Sequence, residues 1–91
     1  MEVKDILIQR GNNYGVFEKQ AEISQLIKYA MFEMQGLDVQ LTSDQRECLE
    51  MIAHKMARIV NGNPNLHDHW IDIAGYATLV ANRLEKANGN D

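Results

Sequence analysis

The 91-residue sequence contains one cysteine, one proline and one tryptophan, and its nine Lys and Arg residues are outnumbered by thirteen Asp and Glu. Each shortage excludes something. The single Cys48 cannot form an internal disulfide, and a cysteine-based zinc site would lack most of its ligands. The expected setting is therefore a reducing cytoplasm. A formal charge of −4 without a basic cluster excludes a grip on duplex nucleic acid, because that affinity comes from Lys and Arg neutralising phosphates. No apolar run approaches the roughly 18 residues that span a bilayer. No signal-peptide pattern opens the chain, so no membrane partner is expected.

What is present fits a small globular protein. Hydrophobic content of 45% and charged content of 24% lie at the averages for folded domains. A chain this short buries only about 60–65% of its unfolded surface, which leaves a thin stability margin that homo-oligomerisation would widen. The expected organisation is a single helical domain over 1–88 and a disordered tail at 89–91.

Polar punctuation falls in three places: RGNNYG at 10–15, QGLDVQLTSD at 35–44 and NGNPN at 61–65, which holds the lone Pro64. The segments between have helical composition. EVKDILIQRG predicts a short first helix ending at Gly11. The second predicted helix spans 16–36, with Val16, Phe17, Ile23, Leu26, Ile27, Ala30, Met31 and Met34 at amphipathic spacing and Gly36 as its stop. Thr42 and Gln45 have capping-box spacing, and Ser43 with Asp44 offers an alternative cap, before a third helix that ends at Gly62. A fourth begins near Asn65 or Asp68 and runs to about Ala87. The fold class is all-α, a compact bundle of three long helices plus a short N-terminal one.

At 100° per residue, Leu49, Ile52, Ala53, Met56, Ile59 and Val60 share one side of the third helix and are expected in the core. Glu47, Glu50, His54 and Arg58 share the other, with Lys55 at the margin. That stripe reads either as a solvated face with routine side-chain pairs or as a functional one. On the fourth helix Trp70, Ile73, Ala77, Val80, Ala81 and Leu84 are the expected core side. Asp68, Asp72, Gly75 and Leu79 lie on another, with Tyr76 between the two. Asp72 sits among apolar and small residues in WIDIAGYA, and either complements the start of its helix or serves a ligand. Gly75 costs roughly 1 kcal/mol in a helix interior, which suggests close approach of another backbone or a ligand. Two neighbouring helices with acids one turn apart could converge four carboxylates. Their mutual repulsion would be relieved by Mg²⁺, which takes a few carboxylates plus phosphate oxygens. Lys28, Lys55 and Arg58 could meet the remaining phosphate charge.

The stretch RECLEMIAHKMARIVNGNPNLHDHWIDIAGYA, with RGNNYGVFEKQAEISQLIK upstream, resembles a family of small phage and prophage proteins over nearly the whole chain. That family is in turn distantly similar to the all-α nucleoside triphosphate pyrophosphohydrolases of the MazG and dimeric dUTPase type. Their signature is an E-x-x-E pair on one helix and an E-x-x-D pair on the next. Glu47-Cys48-Leu49-Glu50 matches the first, and Asp72 the end of the second. Three residues before Asp72 stands His69, and the nearest acid is Asp68 at four. The resemblance implies Mg²⁺ held by Glu47, Glu50, Asp68 and Asp72, with Glu47 or Glu50 assisting a metal-bound water that cleaves between the α- and β-phosphates. Lys28, Lys55, Arg58 and Tyr76 would contact the nucleotide. The products would be a nucleoside monophosphate and pyrophosphate, and the assembly a homodimer or larger.

The remaining signals are weaker. RGNNYGVF lacks the context of a phosphate loop. Arg10, Tyr14 and Phe17 could line a base pocket, but a turn into the second helix with Phe17 in the core is the simpler expectation. HDH at 67–69 could form a weak metal-ligand cluster, but a solvated helix start is the simpler expectation for His67 and His69, and the methionines are expected to fill the core. Three functions follow: the Mg²⁺-dependent pyrophosphohydrolase, a nucleotide-sequestering protein that does not cleave, or a helical module acting on a host protein.

Overall fold

A computed structural model describes residues 2–34 and 40–89. Four helices follow in order, α1 (Val3–Tyr14), α2 (Phe17–Phe32), α3 (Ser43–Asn61) and α4 (His67–Ala87), with no strand among the described residues. The all-α expectation holds. α3 starts where its capping signal predicts: the Thr42 N–H donates to the Gln45 side chain at 2.9 Å, and Gly62 closes the helix. α1 is longer than expected. Gly11 continues the helix and Gly15, at φ 81°, ends it. That backbone conformation strains any L side chain, so the stop belongs to the second glycine of RGNNYG. Gly36, the predicted end of α2, lies outside the described residues, as do the last two residues of the predicted tail.

The three long helices lie in a row, with α2 and α4 on opposite sides of α3. Lys55 pairs with Asp72 at 2.8 Å and Asp44 with Arg83 at 2.7 Å, so α4 runs antiparallel to α3. α2 is antiparallel as well, since Val16 at its start meets Asn61 and Phe32 at its end meets Arg46. α1 lies across the C-terminal end of α3. There Gly62 touches the backbone of Asn13 and Tyr14, and the Asn63 N–H donates to the Asn13 carbonyl at 2.8 Å. Asn61 donates to the Tyr14 carbonyl, which the end of α1 leaves open, and to the Val16 carbonyl at the start of α2.

This arrangement corrects the expected core. The flanking helices cover two opposite edges of α3, burying Cys48 and Ile59, and Ala53 and Ala57. Successive positions advance by about 100°, so two broad sides of the row remain. One carries Leu49, Met56 and Val60; the other carries Glu47, His54 and Arg58. Met56 and Val60 are therefore exposed, at 44% and 71%. On α4, Trp70, Ala77 and Ala81 are exposed too, while His69, expected in solvent, is 1% exposed. Phe17 is 74% exposed rather than core, and Met34 is likewise outside. Hydrophobic periodicity identified the apolar side of each helix, but the neighbours in this chain pack about a quarter-turn away from it.

Candidate functional site

The polar broad side of the row gathers most of the predicted site residues. On α2, Gln20, Ser24 and Lys28 follow at four-residue intervals along one line. Gln20 and Ser24 are buried, and Lys28 continues the line toward the C-terminal end. They face His54 and Arg58 of α3. The Gln20 amide lies 3.3 Å from His54 Nδ1. Burial and the nearby charges of Arg58, Lys28 and Lys55 push the His54 pKa down. A histidine disfavoured by three cations marks a region of positive potential.

Arg58 lies over the Tyr14 ring at 4.1 Å. Its Nε is buried and has no hydrogen-bond partner, and the same holds for Ser24 Oγ. Buried polar atoms in native proteins nearly always find partners, so two orphans along one seam are notable. Beside Arg58 opens a hollow of about 360 Å³, walled by Leu7, Arg10, Tyr14, Phe17 and Gln20. Its size falls within the range of small-molecule sites. A second hollow of about 300 Å³ lies further along the seam, where Lys28, Tyr29, Phe32, Arg46 and Glu50 meet. There Arg46 stacks over Phe32 at 4.2 Å and pairs with Glu50 at 3.1 Å.

The structure divides the other predicted residues. Glu47 lines a third hollow with Tyr76, Leu79, Val80 and Arg83 on the α4 side of α3. Among the described residues it makes no ion pair. Lys55 is engaged by Asp72, and this contact, first by hydrogen bond and then by charge, lowers the Asp72 pKa. Asp72 therefore has a partner inside the chain. Asp68 is exposed at the start of α4. The antiparallel register sets Glu47 level with Leu79 and Val80, roughly 12 Å along the helix from Asp72. Among the described residues no group of three or more His, Cys, Asp or Glu side chains could hold a metal ion. The four acids predicted to share Mg²⁺ do not form one donor set within a chain. Lys28 and Arg58 both lie on the α2 side, lining the second and the first hollow respectively, whereas Lys55 and Tyr76 belong to the α4 side.

Three residues of the polar interior were not expected there: Gln20, Ser24 and His69. The first two had a legible signal, because Gln20, Ser24 and Lys28 form a polar line on α2 that matches the polar stripe of α3. His69 had none. Its ring meets Tyr14 with centroids 5.3 Å apart, and its Nε2 is buried without a partner. Burial, with smaller contributions from nearby charges, lowers its pKa, while a hydrogen bond to the Asn13 backbone opposes the shift. Gly75, expected at a close approach, faces open space: a Cβ built there meets nothing within 4 Å.

None of the curated proteins and none of the solved structures matches this sequence. The profile of DUF6378, a domain of unknown function, matches residues 2–84, nearly the full length, and the chain belongs to that family.

Proposed function

We propose that the protein binds a nucleotide, or a ligand of the same phosphate-plus-aromatic chemistry, on the polar side of the helix row. The observation that carries the reading is the orphaned Arg58 Nε at a cation-rich seam beside a hollow walled by Tyr14 and Phe17. Lys28 and Arg58 offer a point charge and a planar fork for phosphate oxygens. Tyr14 and the exposed Phe17 offer ring faces for a base. The buried Ser24 hydroxyl is a further donor that has nothing to bond within the chain.

Cleavage is the second reading, and the Glu47-x-x-Glu50 pair on α3 favours it. In that version the protein is a distant MazG-type pyrophosphohydrolase that works as a homo-oligomer, encoded by a phage or prophage and active in the host cytoplasm. Glu47 and Glu50 are the residues that would hold a Mg²⁺ arriving with the nucleotide. Asp68 and Asp72 stand too far along α4 to join them in one chain, and the ion itself would supply charge neutralisation at the phosphates.

The test is a thermal-shift and calorimetric screen of nucleoside triphosphates with and without Mg²⁺, with released pyrophosphate as a second readout. Binding is expected in wild type and should weaken about tenfold or more in Arg58→Gln, which removes a charged hydrogen-bond donor. Pyrophosphate release that depends on Mg²⁺ and is lost in Glu50→Gln establishes cleavage. No shift with any nucleotide sinks both readings.

A further inference from the structure

The two hollows on the polar side of the row are built alike. At each, an arginine of α3 stacks on an aromatic ring of another helix: Arg58 on Tyr14 of α1 at 4.1 Å, and Arg46 on Phe32 of α2 at 4.2 Å. Their volumes are close, about 360 Å³ and about 300 Å³. Each offers a second ring beside the stacked pair, Phe17 at the first and Tyr29 at the second, and both rings are more than half exposed. Guanidinium planes and aromatic faces both take a nucleic base by stacking. Arg46 and Arg58 stand twelve positions apart on α3, about 18 Å along its axis. The space between the ends is cationic. Lys28, one turn before Phe32 on α2, lies on the side of the second hollow nearer Arg58, and His54 between them feels the charge of both.

We propose that the two hollows are the ends of one site whose ligand is a dinucleoside polyphosphate, with one base stacked in each hollow and the phosphate bridge laid across His54 from Arg58 to Lys28. This rests on the nucleotide reading above and adds a second base to it. Two like ends suit a ligand with two like ring systems, and a mononucleotide fills one hollow and leaves the other empty. The middle suits a polyphosphate, which concentrates negative charge where Lys28 and Arg58 stand. A single nucleic-acid strand spreads its charge along its whole length, and a chain of net charge −4 repels the rest of it. The acids nearby are placed accordingly. Glu50 is paired with Arg46 at 3.1 Å, and Glu47 lines the hollow toward α4. Glu18 and Glu22 lie on the flank of α2 turned from α3. Glu33, at the far wall of the second hollow, is an acceptor for the exocyclic amine of adenine or guanine.

The experiment is isothermal titration calorimetry of the full chain with four probes: ATP, diadenosine tetraphosphate, diguanosine tetraphosphate and a single-stranded deoxyadenylate tetramer. One dinucleoside polyphosphate should bind per chain, about tenfold or more tighter than the mononucleotide, because a second base is stacked. Phe32→Leu keeps the apolar bulk and removes the ring, so it should erase the difference between the two kinds of ligand while circular dichroism shows wild-type helicity. Arg58→Gln should weaken both kinds. ATP that binds as tightly as either dinucleoside polyphosphate overturns the two-ended site and leaves the nucleotide reading standing. Failure of every nucleotide overturns both. A gain that survives Phe32→Leu also overturns the two-ended site. So does a deoxyadenylate tetramer that binds more tightly than diadenosine tetraphosphate, which would assign the polar side to a nucleic-acid strand.

Discussion

At the scale of single residues, burial competes with charge in the two histidines. His54 and His69 both have pKa values held below 6.5 in the folded chain, chiefly by burial. The unfolded chain therefore takes up protons first as the pH falls. Their contribution to stability is complete above about pH 6.5 and is lost on acidification toward the folded values. Urea unfolding at pH 7.5, 6 and 5 should show a falling unfolding free energy, and His69→Gln should flatten part of that slope. Anion binding should move in the opposite direction, because protonated His54 adds charge beside Lys28 and Arg58. Asp44 behaves differently. The Arg83 guanidinium and the Thr42 hydroxyl hold its pKa at about 2, so that contact persists until far more acid conditions. Little of this residue-level detail was legible beforehand. His69 follows an acid and precedes Trp70, as a solvated helix start would, and only the end of α1, with Asn13 and Tyr14 set against the ring, reveals its burial.

At the scale of elements, the helices were readable from local chemistry because local chemistry makes their ends. Thr42 and Gln45 close their box, and Thr42→Ala should cost about 1 kcal/mol in denaturation. Arg83, which also bonds Thr42 and Asp44, would lose a partner in the same variant. The direction each helix faces was not readable in the same way. A wheel assigns the apolar side of α3 correctly, but the positions of α2 and α4 depend on contacts far apart in sequence, such as Gln20 with His54 and Lys55 with Asp72. The candidate site follows the same division: the stripe of Glu50, His54 and Arg58 was visible, and its partner line on α2 was visible only in retrospect. Gly75 supplies a clean test of how open the outer edge of α4 is. With nothing near its Cβ position, Gly75→Ala should raise stability by roughly 1 kcal/mol. A loss instead would show that something packs there in solution.

At the scale of the whole molecule, the chain places polar groups inside and large apolar ones outside to an unusual degree. Gln20, Ser24 and His69 are among the few buried residues, while Leu26, Val60 and Trp70 face solvent. A structure held by so small a core should gain stability from association, and mass action then makes its melting temperature depend on concentration. A hundredfold dilution should lower the melting temperature measurably, and Val60→Glu should abolish that dependence while leaving a cooperative, lower transition.

The bare backbone junction between α1 and α3 gives the molecule a fulcrum. No residue of α1 is buried, yet the last turn of α1 is fastened at Gly15, Gly62 and Asn63, so the helix is a lever held at one end. Its amides near Val3 to Ile8 should exchange with deuterium orders of magnitude faster than those of α3, while the Asn63 amide, bonded to Asn13, stays slow. Gly15→Ala, whose methyl would overlap the Asn61 carbonyl at a strained φ, should release the fulcrum at a cost of at least about 2 kcal/mol. All of α1 should then exchange at the rate of its free end. Because Arg10 and Tyr14 line the hollow from this lever, the swing of α1 would set how quickly that hollow fills and empties.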